Sequence, residues 1–383
     1  MSNTWWKDEG ELIQEQSDIL DFDLEKNLLI KGPPGSGKTN LLLLKANQCF
    51  LGDFPNLHIV VFGSVLRDFI QLGGSQYKFP ADKIVTHARL FSRILDENDS
   101  HVDTKGMKLT EARAARADAL KALIDQGRVG AMYDALLLDE AQDYTPDEIR
   151  IFRVLTNVLV AASDVRQKIF AVDDSSEVLK NCTDELYVLK YHFRNGRDIC
   201  RLADAIMKGK PDHTPLLPYS NYNEGEYPSK VFPRPGLSLQ EQAEAIASQI
   251  LDQRIAYPND LIGVLCPRNE EVDFIAAHLK TTALAKDVTR CGDDDFDPTH
   301  NVWLSTMSGA KGLEFRAVHL AGLDFLANTG PVQRRLAFTG VTRAKTALSL
   351  YFENSVPGYL DSAIRSISPE KKQVTKASIF GKE

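Results

Sequence analysis

Cysteine is scarce in this chain and too scattered to build anything. Cys49, Cys182, Cys200, Cys266 and Cys291 are spread over 383 residues without one C-x-x-C pair. That argues against a zinc centre or a disulfide framework and for a reducing cytoplasm. Long apolar runs are also missing. Nothing approaches the ~20 residues of a membrane-spanning helix, and the start, Met-Ser-Asn-Thr-Trp-Trp-Lys-Asp-Glu, lacks the pattern of a signal peptide. No membrane partner is expected. Positive charge is not in excess either, with 45 Lys and Arg against 53 Asp and Glu for a net charge of −8. A protein coated in nucleic-acid-binding surface is excluded by that balance, whereas a local basic groove is not. Internal repeats, heptads and low-complexity tracts are absent. What remains is a soluble globular composition, 43% hydrophobic and 26% charged, with length for two ordinary domains.

Against that plain background, GPPGSGKT stands out. Gly32, Pro33, Pro34, Gly35, Ser36, Gly37, Lys38 and Thr39 match G-x-x-x-x-G-K-[ST]. The apolar run Asn27-Leu28-Leu29-Ile30 reads as a buried strand before the loop, and Thr39 to Asn47 as a helix after it. Glycines let successive backbone N–H groups turn inward around phosphates at the positive end of that helix. The pattern predicts ATP and Mg²⁺ as ligands, with Lys38 on the terminal phosphates and the Thr39 hydroxyl on the metal. A second apolar run, Ala135-Leu136-Leu137-Leu138, delivers Asp139 and Glu140 at its carboxyl end. Ligands of open α/β sheets bind at that edge. Asp139 is expected to hold the metal, and Glu140 to polarise the attacking water.

Three further strings follow in order: YHFRNG (Tyr191 to Gly196), STMSGAKGLEF (Ser305 to Phe315) and FTGVTRAK (Phe338 to Lys345). Together with the P-loop and LLLDEAQD, this ordered set resembles superfamily 1 helicases of the UvrD/Rep/PcrA type, from about Gln16 to about Phe352. The resemblance implies an α/β fold of two RecA-like P-loop domains with parallel sheets and the ATP site in the cleft between them. It implies base recognition by Gln16, stacking by Phe193, γ-phosphate contacts from Arg194 and Arg343, a nucleotide contact from Glu314, and coupling of hydrolysis to movement by Gln142. It also implies single-stranded DNA as partner, with RNA as the alternative, and movement 3′ to 5′. Compact proteins of this kind occur beside nucleases in phage defence, so an effector partner such as a nuclease is expected by association. A regulatory ATPase that senses nucleic acid or nucleotide without unwinding duplex is the competing reading.

The chain departs from the family pattern at three points. Where GDxxQSIY follows the third strand of the family, the match falls on Val172-Asp173-Asp174-Ser175-Ser176-Glu177-Val178-Leu179, which puts Ser176 in place of the coupling Gln. No aromatic between Lys180 and Asp184 replaces the family's base-packing Trp. Ser308 stands where T-x-H-x-A-K-G-L-E has its His.

Strands are expected around Leu28, Val60, Ile84, Leu137 and Ile169 in the first half, and near Val188, Ile262, Val288, Trp303, Val318 and Leu348 in the second. Strands alternating with helices predict parallel sheets. The domains are expected at 1–185 and 186–383, with a short insertion at about 96–132 and a turn-rich surface excursion from Pro211 to Pro235. Within the insertion, Leu109 to Asp125 reads as a helix whose Arg113 and Arg116 share a face, either a contact for a phosphate backbone or, as the preferred reading, solvated. Phe62-Gly63-Ser64 and Thr86-His87-Ala88 match strand-contact elements of the family, with plain packing an equal alternative for Phe62 and His87. Trp5 and Trp6 read as an apolar patch, and the tail with Lys371, Lys372, Lys376 and Lys382 as a solvated end.

Overall fold

A computed structural model describes residues 6–72, 76–164, 173–211, 213–293 and 295–367. The first lobe contains strands β1 (Leu28–Lys31), β2 (Leu57–Val61), β3 (Ile84–Thr86), β4 (Tyr133–Leu138), β5 (Thr156–Ser163) and β6 (Glu185–Val188). All pair in parallel, in the order β3-β2-β4-β5-β1-β6. Its helices are α1 (Gln14–Leu20), α2 (Lys38–Leu51), α3 (Ser64–Gln71), α4 (His87–Glu97), α5 (Leu109–Asp125), α6 (Pro146–Leu155) and α7 (Ser176–Asn181). The second lobe follows with β7 (Lys230–Pro235), β8 (Ile262–Cys266), β9 (Val288–Arg290), β10 (Val302–Thr306), β11 (Phe315–Leu320) and β12 (Ala344–Phe352). These are also all parallel, in the order β7-β12-β11-β8-β10-β9. Helices α8 (Arg197–Met207), α9 (Leu239–Ala256), α10 (Asn269–Leu279), α11 (Gln333–Val341) and α12 (Gly358–Ile367) complete it.

This is the α/β architecture of two parallel-sheet, RecA-like lobes. Parallel strands need crossover helices, which cover both faces, so the inner strands read as unbroken apolar runs. β2 and β8 are buried at every position. All five cysteines are unpaired thiols, four of them buried.

Three elements fall elsewhere than the sequence pattern places them. The fifth strand is β5, Thr156–Ser163, whereas Ile169 lies outside the described residues. Helix α6, closed at its start by a Thr145–Glu148 capping box, runs straight into β5 at Leu155/Thr156. No Gly or Pro punctuates the change, and Asn157 already lies within β5, so the period switches without a clear turn signal. β7 lies inside the turn-rich stretch and carries Pro233 and Pro235. Among the described residues it pairs with β12 alone, and an edge strand tolerates proline because one row of N–H groups needs no partner. β6 is hydrogen-bonded to β1, so an expected boundary at 185/186 passes through a strand of the first sheet.

Arg113 is the clearest correction. It is buried, 4% exposed, and donates to Glu148 and to the carbonyl of Asp143. Its neighbour Arg116 is half-buried, bonded to Ser92 Oγ and Thr104 Oγ1. The expected solvated face is therefore the inner face of α5. Trp6 packs edge-on to Tyr77 with centroids 5.6 Å apart; Trp5 and the four tail lysines lie outside the described residues.

The lobes meet through α3. Gly312, in the AKGLEF string, has φ +83°, and a Cβ there would stand 2.7 Å from Leu66. Phe69 meets Trp303 edge-on at 6.0 Å. Only glycine satisfies both the positive φ and the close approach.

Candidate active site

The P-loop leaves β1 and enters α2 with Gly35 and Gly37 at φ +74° and +88°. A Cβ on Gly35 would lie 2.4 Å from the Cβ of Arg194, and one on Gly37 would lie 2.8 Å from Gln16 Nε2. Both glycines are thus required by backbone twist and by the neighbours pressed against the loop. Lys38 Nζ donates to the carbonyls of Gly32 and Pro33 at 3.0 and 2.9 Å. Thr39 Oγ1 donates to Asp139 Oδ2 at 2.8 Å, although the two residues are 100 apart in sequence.

Asp139 and Glu140 emerge at the carboxyl end of β4. Glu140 has φ +49°, ψ +42°, a left-handed backbone that a glutamate rarely adopts. Such outliers cluster at functional sites, where the surroundings over-determine them. Here Glu140 N donates to Asp139 Oδ1 at 2.9 Å, and Gln142 Nε2 donates to Glu140 Oε2 at 2.5 Å. Gln142 Oε1 accepts from Asp164 N at 2.8 Å, which anchors this turn to the end of β5.

The second lobe and the crossing segment supply cations. Phe193 N donates to Gly35 O, pinning the YHFRNG string to the P-loop, while Asn195 Nδ2 donates to the carbonyls of Thr342 and Ala344. Arg194 Nε pairs with Glu314 Oε2 at 2.8 Å, and Lys345 Nζ pairs with Glu314 Oε1 at 2.5 Å. Arg343 is 1% exposed and donates to the carbonyls of Thr339 and Leu313, both at 3.0 Å. Lys311 reaches back to the first lobe, 2.6 Å from Asp143 Oδ2 and 3.7 Å from Glu140 Oε2.

Burial and neighbouring charge together set the titration of these groups. Burial, with Glu140 beside it, pushes Asp139 up to about 6 against the pull of Thr39 and Lys38. Burial also pushes Glu140 upward, but Lys311, Lys38 and Arg343 outweigh it and hold the carboxyl below its ordinary value. Glu314 is buried as well, yet Lys345 and Arg194 bring it down to about 2. Burial and the nearby Arg194 draw Arg343 down to about 9. Buried charges of this kind are tolerated when paired.

One cleft collects most of the residues singled out in the sequence. Gln16, Pro34, Gly35, Gly37, Lys38, Thr39, Asp139 and Glu140 line it from the first lobe, and Phe193, Arg194, Glu314 and Arg343 from the other side. Gly32, Pro33, Ser36 and Gln142 are not on its wall. The first two accept from Lys38, Ser36 O accepts from Gln16 Nε2 at 2.9 Å, and Gln142 braces Glu140. Among the described residues no cluster of three His, Cys, Asp or Glu side chains could cage a metal. The Thr39 hydroxyl and Asp139 carboxylate, hard oxygen donors in contact, suit Mg²⁺, which takes few protein ligands and completes its shell with phosphates and water.

Further cations at or beside the cleft were given no individual role from the sequence. Lys311 and Lys345 sit inside AKGLEF and TRAK, and the signal for them was charge: Asp139, Glu140, Asp143 and Glu314 demand counter-ions once buried. Lys7 also lines the cleft, with Nζ 4.3 Å from the Phe193 ring centroid. Its backbone is bonded at both N and O to Asn40. No sequence signal pointed to it.

The structure also moves one departure from the family pattern. Ser176 begins α7, and both its N and Oγ bond to Asp174, at 3.1 and 2.7 Å. The strand that should precede GDxxQSIY ends at Ser163, so Ser163-Asp164-Val165-Arg166-Gln167 takes the G-D-x-x-Q pattern and Gln167-Lys168-Ile169-Phe170 reads against Q-S-I-Y. Residues 165–172 lie outside the described residues. Ser176 therefore lies at the start of α7 and not directly after β5, and Lys180 to Asp184 form the end of α7 and the turn into β6. Ser308 stands, with Oγ 3.1 Å from Thr306 Oγ1. Phe62 and His87 stack at 5.1 Å under the sheet edge, and burial pushes His87 down to about 4.

Fold and cleft together define a two-lobed P-loop protein. Residues 301–351, which run from the start of β10 into β12, match the UvrD-like helicase C-terminal domain family. No functionally curated protein matches the chain. Among solved structures, it is similar to the C-terminal domain of a possible DNA helicase from Lactobacillus plantarum WCFS1, at 19% identity over 46% of this chain and 96% of that one, TM-score 0.34. It is also similar to the PRRSV helicase, at 16% identity over 88% of this chain and 54% of that one, TM-score 0.42. The chain thus spans about half the length of the PRRSV protein. No described helix is long and apolar enough to cross a membrane.

Proposed function

We propose that the chain hydrolyses ATP with Mg²⁺ in this cleft and couples the cycle to single-stranded nucleic acid. The observation that carries this reading is the juxtaposition of a P-loop, Thr39–Asp139 and Glu140 with Arg194 and Arg343 from beyond β6. Phosphoryl transfer spreads negative charge over the γ-phosphate, and a guanidinium there contributes about 10³–10⁵ in rate. Cations brought from a second body tie that chemistry to closure of the cleft. The test is ATP turnover with and without single-stranded DNA, RNA and duplex. Stimulation by single strands supports the reading, and a rate indifferent to all three removes the nucleic-acid part of it.

Direction and output rest on resemblance. Movement 3′ to 5′ along DNA is the expectation, checked by a translocation assay with end-labelled strands, and a 5′ to 3′ bias overturns it. One observation favours the second reading, a regulatory ATPase with an effector partner. Where relatives of this type carry accessory subdomains, the described residues of this chain form only α4 and α5 between β3 and β4, and only α10 and β9 between β8 and β10. We therefore expect the isolated protein to unwind long duplex poorly. Efficient strand displacement from a single-stranded loading tail would contradict this.

A further inference from the structure

Helix α5 carries one side chain that touches three structural elements at once. Arg113 Nε and Nη2 donate to the two Glu148 oxygens at 2.9 and 2.5 Å, and Nη2 also donates to Asp143 O at 2.8 Å. The guanidinium lies over the Phe62 ring, 5.0 Å from its centroid, and Phe62 stacks on His87. A planar fork with a polarisable face can hold a carboxylate, a carbonyl and a ring together, which a lysine cannot do.

Asp143 carries the contact onward. Its backbone N donates to Glu140 O at 2.9 Å, so the two residues form one tight turn. Its carboxylate is fully buried and accepts from Lys311 of the second lobe at 2.6 Å. The same ammonium stands 3.7 Å from Glu140 Oε2. Water cannot take over these interactions in so dry a place, so displacement of Asp143 must displace Lys311 or leave charge unpaired.

We propose that Arg113 is a positioning residue that sets the Glu140 turn through Asp143 and Lys311, and so links α5 and the Phe62 element to the hydrolytic carboxylate and to the second lobe. The proposal rests on the reading of Glu140 as the group that polarises water. Whatever presses on the Phe62-Gly63-Ser64 element, or on the outer face of α5, would then be felt in the cleft. The competing possibility is that Arg113 and Glu148 merely staple α5 to α6.

Arg113→Met, Arg113→Lys, Lys311→Met and the Arg113→Met/Lys311→Met double variant separate the two, with turnover, KM, thermal midpoint and segment-resolved hydrogen exchange as readouts. Loss of an interaction felt only in the transition state lowers kcat with KM little moved, so Arg113→Met is expected to lose roughly 10-fold in kcat with KM within about 3-fold. Arg113→Lys should recover part of the loss. The double variant should be no slower than Lys311→Met alone, because residues in one network are non-additive. Exchange should rise in residues 139–144 and, across the lobes, in 309–314, which Arg113 does not touch. A lowered thermal midpoint with kcat intact, multiplicative losses, or exchange changes confined to α5 and α6 would overturn the proposal. If the wild-type protein turns over no ATP, the reading of Glu140 falls, and the exchange pattern alone then decides whether the link exists.

Discussion

The two walls of the cleft are built differently. In the first lobe the site groups stand at strand ends and on a helix start: Lys38 is held on its own loop carbonyls and Glu140 in a left-handed turn, while Thr39 at the start of α2 bonds Asp139 at the end of β4. On the opposite wall the groups are long cations, and Arg194 and Lys345 are gathered on a single buried carboxylate, Glu314. The first wall carries the groups proposed to hold a phosphate and a metal. The second stores positive charge on an internal counter-ion, which a triphosphate would have to outcompete. Binding and catalysis should therefore fail separately when the walls are altered separately.

The largest expected effect is on chemistry in the first wall. Glu140→Gln should keep ATP and Mg²⁺ affinity while turnover falls by about 10²–10⁴, the range of a positioned general base. Wild-type turnover in steady-state assays would remove Glu140 from that role. Next, Lys38→Ala should act on grip, raising the dissociation constant of a fluorescent ATP analogue by roughly 10-fold or more, since it deletes a charge-assisted phosphate contact. Unchanged affinity would show that the loop backbone alone holds the phosphates.

The store of charge should be more forgiving. Lys345→Met leaves Arg194 as the partner of Glu314, so turnover should drop by only about 5- to 10-fold, the scale of one partly redundant charged contact. A loss as deep as that of Glu140→Gln would make Lys345 a principal catalytic cation. The smallest effect concerns acid stability. Glu314 is held at about 2 in the folded protein, below the ~4.3 of an unfolded chain. Its contribution is therefore present above pH ~4.3 and is lost as pH falls through about 2. Urea unfolding of wild type and Glu314→Gln between pH 6 and 2 should show the stability gap closing toward the acid end. A gap independent of pH would mean that Glu314 contributes by packing, not by charge.

The first wall was largely legible from sequence because its chemistry is local. A glycine-rich loop between an apolar strand and a helix, and an acidic pair after LLL, each fix their own geometry within a few residues. The second wall was legible only through resemblance, since nothing local in TRAK or YHFRNG says that Arg343 and Arg194 face the P-loop. Lys311 and Lys345 were overlooked because their meaning lies in acids that are distant in sequence. β5 was misplaced because α6 passes into it without a glycine or proline, and the GDxxQ pattern was then sought after a strand centred too late in the chain. Arg113 read as solvated because a helix of alternating Ala and charge resembles a surface helix until its buried partner, Glu148, is known.

Hydrolysis in this cleft is expected to depend on charge delivered from the second wall. Arg343, fully buried and bonded to backbone carbonyls at the cleft, tests it most directly. Single-turnover hydrolysis by wild type and Arg343→Ala, each saturated with ATP and single-stranded DNA, should differ by about 100-fold or more, as for loss of a transition-state guanidinium, with ATP affinity changed by no more than a few-fold. Equal single-turnover rates, or a loss explained wholly by weaker binding, would contradict the claim.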